Sequence, residues 1–248
     1  DQYEMCARKL DELPDHITPI ILPGNHDAVR PAQPQPMLEH TIQQQFNSAI
    51  HTGNPCRANL SGIELLAYHG QGMDDIIPQL DHVTYEDSIQ GMKEMLKRRH
   101  MTPQWGERSA LSPEQQDDMV IRELPDIFVT GHTHSHAYEW YKGVPCVVSS
   151  TMQGQTDFMN MLGYASQKGF LTLYNIQNRE GKVVATIDDK VDLAAFGIST
   201  VKMRSSIVKG SPVEAAFSPD SEFAYVSNYK ILVYVFESQT NWRSKGFY

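Results

Sequence analysis

Five side chains able to hold a metal ion or move a proton stand at three places. Asn25 and His26 lie in Pro23-Gly24-Asn25-His26-Asp27, His69 in Tyr68-His69-Gly70, and His132 and His134 in Gly131-His132-Thr133-His134. Neutral imidazoles are common ligands of Zn, Mn and Fe, and an amide oxygen such as that of Asn25 suits a harder divalent ion. In extended backbone His132 and His134 point to one side, which lets two neighbouring ions each take one. Gly24 and Gly131 leave space where a Cβ would block an incoming phosphate. A lone histidine is ordinarily a surface or satisfied core residue, and His16, His40, His51, His82, His100 and His136 are read that way. The ordered set of three loops is much harder to obtain by chance.

Each loop follows a short apolar run, at residues 18–22, 63–68 and 126–130. Such runs, bounded by turn signals, read as buried strands. In α/β sheets the loops at the carboxyl ends of strands converge, so the five side chains are expected to share one crevice. Tyr3, Cys6, Ala7, Leu10 and Leu13 fall at helical spacing, which Pro14 closes. A second amphipathic helix is expected to carry Tyr85, Ile89, Met92 and Leu96 on one face, with Thr84 as its N-cap. Its far end bears Lys93, Lys97, Arg98, Arg99 and His100, read equally as a solvated helix end or as a contact with DNA phosphate or a partner. Residues 101–124 read as loop. From residue 188 the texture changes, with hairpin strands expected at 213–220 and 223–228. The expected organisation is one domain over 1–187 and a strand-rich tail over 188–248.

The chain has 248 residues, 21 Lys+Arg against 30 Asp+Glu, and a formal charge of −9. That length can bury a substantial core. The acidic balance excludes a histone-like, whole-surface grip on nucleic acid, though not a local basic track. Three scattered cysteines, Cys6, Cys56 and Cys146, make a disulfide framework unexpected and a reducing interior the better fit. No apolar run reaches the ~18 residues of a membrane helix. The chain opens without Met inside a helical pattern, and is expected to lack the front of its domain.

Gly24-Asn25-His26-Asp27 and Gly131-His132-Thr133-His134 resemble the later motifs of the calcineurin-like metallophosphoesterases. Over residues 2–175 the sequence is similar to the small-subunit family of archaeal family D DNA polymerases. The distinctive stretches are Pro23–Pro36, Tyr68-His69-Gly70 followed by Asp74-Asp75, Met95–His100, and Ser149–Thr156. The resemblance implies an α/β fold, a two-sheet sandwich flanked by helices in four layers. It implies two divalent metal ions, Mn²⁺ first with Fe²⁺ or Zn²⁺ as alternatives, and 3′→5′ proofreading hydrolysis of DNA. Asn25, His69 and His132 would hold one ion and His134 would contribute to the other. His26 would face the scissile phosphate, and Asp27 would orient the loop. A large catalytic subunit and the 3′ end of single-stranded DNA would be its partners, in an archaeal-type cytoplasm. The family's Asp-x-His and Gly-Asp-x-x-Asp motifs do not occur before Gly24, so the isolated chain is expected to bind metal weakly and show little activity. Two other readings stand beside this one: a generic phosphodiesterase or repair nuclease, and a non-catalytic scaffold subunit.

Overall fold

The computed structural model describes residues 2–11, 17–47, 49–104, 107–151, 153–175, 179–184, 223–228 and 231–236. Leu13, Pro14, His16 and the strand expected at 213–220 lie outside the described residues. Helices are α1 (Gln2–Leu10), α2 (His40–Gln43), α3 (Met73–Ile76), α4 (Ile89–Arg98) and α5 (Asp157–Leu162). The first seven strands are β1 (Ile17–Ile21), β2 (Ile50–His51), β3 (Cys56–Leu60), β4 (Ile63–Tyr68), β5 (Ile127–Thr130), β6 (Ala137–Tyr141) and β7 (Val144–Val148). The remaining four are β8 (Leu171–Asn175), β9 (Glu180–Val184), β10 (Phe223–Asn228) and β11 (Ile231–Phe236).

The architecture is mixed α/β. A five-stranded sheet runs in the order β3-β4-β5-β7-β6 and a six-stranded sheet in the order β2-β1-β11-β10-β8-β9. Within the first, β4, β5 and β7 are parallel, while β3 and β6 pair antiparallel at the edges. The β6–β7 hairpin turns on Lys142 and Gly143, both at positive φ, as a two-residue turn between twisted strands demands. The parallel strands are mostly apolar, Glu64 and Thr130 apart, because both faces are covered. On β4, Ile63, Leu65 and Ala67 join one core cluster, and Leu66 and Tyr68 join another. On β5, Ile127 and Val129 separate from Phe128 in the same way. This is the two-residue period of a strand sorting side chains between faces.

The first cluster is completed by Ile20 of β1, Leu22 just beyond it and Tyr174 of β8, so it fills the space between the two sheets. The second is completed by Met73 and Ile76 of α3 and by Ile89, Met92, Met95 and Leu96 of α4, which cover the outer face of the five-stranded sheet. Among the described residues, no helix is long and apolar enough to cross a membrane. Cys6, Cys56 and Cys146 form no disulfide among the described residues, and the latter two are buried.

Helix α4 begins at Ile89, later than its sequence pattern indicates. Thr84 does not cap it; its Oγ1 accepts the Asp87 amide at 3.0 Å and closes a separate turn. Ser88 precedes the helix without capping it, because its hydroxyl is engaged by Thr133 and Ser135 at 2.9 and 2.6 Å. Tyr85 therefore lies ahead of the helix, with its hydroxyl on Asp74 of α3.

Candidate active site

The loops after β1, β4 and β5 meet at one end of the two sheets. His69 Nε2 lies 2.8 Å from Asn25 Oδ1 and 3.2 Å from His132 Nδ1, and the two imidazoles meet edge to face with centroids 5.0 Å apart. Gly24 is required here, since a Cβ would sit 2.6 Å from His69 Cε1. The space it opens serves the His69 ring rather than an incoming phosphate. Gly70, at φ +109, lets the second loop touch the third, where a Cβ would approach the Gly131 carbonyl oxygen to 2.7 Å. The Gly131 amide donates to the His69 carbonyl at 2.9 Å.

His132 and His134 are not extended. Both adopt left-handed backbone, φ 72 and 56, at a cost of about 1–3 kcal/mol each that the surrounding structure must hold. Thr133 and Ser135, buried on Ser88, pin the intervening backbone. His26, His69, His132, His134 and Asn25 nevertheless all line one cavity of about 890 Å³.

Three residues outside the sequence-derived set build the site. Asp74 Oδ2 accepts the His132 Nε2–H at 2.9 Å, and its Oδ1 accepts the Tyr85 hydroxyl at 2.8 Å. Burial works to raise the Asp74 pKa, but these two partners win and hold it below the usual carboxylate value. With Nε2 protonated, a neutral His132 turns the lone pair of Nδ1 toward His69. Asn54 Oδ1 accepts the His69 backbone amide at 2.8 Å, and Asn54 Nδ2 donates to Gln35 Oε1 at 2.7 Å. Gln35 Nε2 donates to the Gly24 carbonyl at 3.2 Å, tying the first loop to the second. Asp74 was visible as part of the Asp74-Asp75 pair after His69-Gly70. Gln35 lay within the distinctive Pro23–Pro36 stretch but its role did not show there, and Asn54 carried no sequence signal, because their function is a buried pairing between distant segments.

Burial, with the neighbouring imidazoles of His132, His26 and His134, holds His69 well below the usual imidazole pKa. Burial, with His132 and His26, lowers His134 to about 4. Both rings are therefore neutral at pH 7 with lone pairs to offer. Their Nδ1 atoms are buried without a hydrogen-bond partner among the described residues.

Asn25 Oδ1, His69 Nε2 and His132 Nδ1 form a locus with three lone-pair positions and at most one proton to share. Ligands at about 2.1 Å from an ion lie roughly 3.0–3.4 Å from one another in tetrahedral or octahedral geometry. The observed 2.8 and 3.2 Å separations are close to two of those polyhedron edges and equally to hydrogen-bond lengths. Of the three donors, two are imidazoles and one an amide. No group of three His, Cys, Asp or Glu side chains that could hold a metal occurs among the described residues.

Asp27 does not join the donors. Its carboxylate accepts the Gly24 amide and the Tyr3 hydroxyl, both at 2.8 Å, and so fastens the first loop to α1. His136 turns away, with Nε2 3.1 Å from Thr172 Oγ1 and its ring stacked on Phe170. Lys93 pairs with Glu139 at 2.5 Å, and Lys97 and Arg98 both pair with Glu94. Arg99 caps α4 in left-handed backbone and donates to the carbonyls of Ile121 and Arg122. None of these four cations lines the cavity.

Fold and site together define a mixed α/β protein with an imidazole–amide donor cluster at the carboxyl ends of strands from two sheets. The chain belongs to the family of DNA polymerase alpha/epsilon B-subunits, whose model matches residues 1–139. It is 42% identical over 174 residues to the DNA polymerase II small subunit of Archaeoglobus fulgidus, covering 70% of this chain and 36% of that protein. The Methanocaldococcus jannaschii small subunit is 43% identical over 178 residues, 71% of this chain and 30% of its own length. For the Pyrococcus horikoshii protein the figures are 34% over 191 residues, 76% and 30%. These relatives bear out the resemblance to small subunits of archaeal family D polymerases. The chain spans about a third of the length of the relatives it matches.

Proposed function

We propose that this chain carries part of the hydrolytic site of a polymerase small subunit that removes nucleotides from the 3′ end of single-stranded DNA. The observation that supports this reading is the convergence of Asn25, His69 and His132 on one locus, with His26 and His134 in the same cavity. In the four-layer metallophosphoesterase arrangement, Asn25, His69 and His132 would hold one divalent ion, Mn²⁺ first and Fe²⁺ or Zn²⁺ as alternatives, and His134 would contribute to a second. Such ions, when bound, polarise phosphoryl oxygens and acidify water. The chain's own residues orient and supply protons. Asp74 keeps the His132 proton on Nε2, and Asp27 fixes the backbone that presents His26. His26 is exposed and makes no side-chain hydrogen bond among the described residues, so its imidazole is free to face a scissile phosphate and protonate a leaving 3′ oxygen. A large catalytic subunit would be its partner.

The scaffold reading rests on the two-imidazole count, since a locus without a carboxylate is a poor metal site by itself. A manganese-dependent digestion of a 5′-labelled single strand, by the protein expressed from its full reading frame, separates the readings. A ladder of shortened products is expected, falling 10²–10⁴-fold in rate in His26→Ala. Cleavage of small phosphodiesters but not DNA would favour a generic phosphodiesterase. No cleavage of either would leave the scaffold.

A further inference from the structure

The cavity that holds the histidines is also lined by the aromatic side chains of Tyr3, Tyr85, Phe158 and Tyr164, and its lining contains no Lys or Arg among the described residues. Tyr85 and Tyr164 stack at 5.3 Å with planes 8° apart. Phe158 of α5 lines the same cavity with 52% of its surface exposed. That position is rigidly built. Thr156 caps the helix by accepting the Met159 amide at 3.2 Å, Gly163 ends it at φ 76, and buried Met159 anchors its inner face. Gln153 and Thr151 add polar groups to the lining.

Without Lys or Arg, the cavity lining offers an oligonucleotide phosphate no ammonium or guanidinium to pair with among the described residues. A flat exposed ring held on a capped helix supplies affinity of another kind by stacking, which every nucleobase can accept. A ligand with an anionic phosphodiester at one end and a planar base at the other suits a cavity lined by both imidazoles and aromatic rings. We infer that Phe158 is the stacking platform for an unpaired base of the single strand whose phosphate faces the histidines. This rests on the 3′-end reading given above. Because stacking needs an unstacked, unpaired base, the platform selects frayed or single-stranded ends over duplex.

The test is fluorescence anisotropy on the full protein in EDTA, with two 5′-fluorescein oligothymidylates. One has a normal 3′ nucleotide and the other an abasic 3′ sugar. The wild type is expected to bind the normal strand about tenfold tighter. Phe158→Ala should erase that preference while leaving abasic binding unchanged, and Phe158→Trp should keep it. Equal preference in Phe158→Ala, or equal weakening of both strands, overturns the inference. So does Phe158→Ala that binds both strands as wild type does but no longer assembles with a large subunit, which would make α5 a protein contact. A wild type that discriminates without digesting DNA keeps the platform and removes the nuclease reading. Digestion without discrimination does the reverse.

Discussion

The His132 ring has one nitrogen committed to Asp74 and the other turned toward His69, and a single carboxylate maintains that division. Asp74→Ala should release the ring and lower Mn²⁺ affinity 10- to 100-fold, the usual effect of losing the partner that orients a ligand. Calorimetric titration giving equal affinities would show that Asp74 does not govern the cluster. Gly24→Ala is a sharper probe, because the added methyl meets the His69 ring at 2.6 Å. Metal binding should be lost while the thermal midpoint moves by only a few degrees. A variant that binds as before would mean the loop yields and the His69 position is not set by Gly24. His26, His69, His132 and His134 could be read directly in the sequence, because their loops each follow an apolar run. The left-handed backbone of His132 and His134 could not, since it depends on buried hydroxyls of Thr133, Ser135 and Ser88 from two elements.

At the scale of elements, β4 and β5 were legible because both their faces are buried, and a run such as Ile63-Glu64-Leu65-Leu66-Ala67-Tyr68 permits little else. The start of α4 was not, because Thr84 satisfies a cap pattern that serves a turn instead. The basic end of α4 had two readings from sequence, and the structure pairs each charge with the chain's own acceptors. The loops are joined by Asn54, which reaches the His69 backbone and Gln35 together. Asn54→Ala strands buried polar groups on both partners and should cost about 1–3 kcal/mol, read as a lower urea midpoint. Stability within a few tenths of wild type would show that Gln35 finds another partner.

For the whole molecule, two sheets enclose one core, and β10 and β11 complete the six-stranded sheet between β1 and β8. A late segment of the chain thus borders the strand that leads into Asn25 and His26. Burial lowers the His51 pKa below 6.5, and the ring packs on Phe46 with both nitrogens lacking partners among the described residues. A histidine depressed on folding contributes stability that is present above 6.5 and is lost as pH falls below it. The urea midpoint should therefore drop between pH 7.5 and 5, and His51→Phe should shrink that drop; an unchanged drop would assign it to other groups. The hydrolytic reading depends on the imidazoles of His69 and His132 facing a divalent ion. Pulsed electron paramagnetic resonance of the protein with one equivalent of Mn²⁺ reads that contact itself. Nitrogen modulation from coordinated imidazole is expected, and it should disappear in His69→Ala with His132→Ala. A spectrum of manganese bound only to water and carboxylates would contradict it.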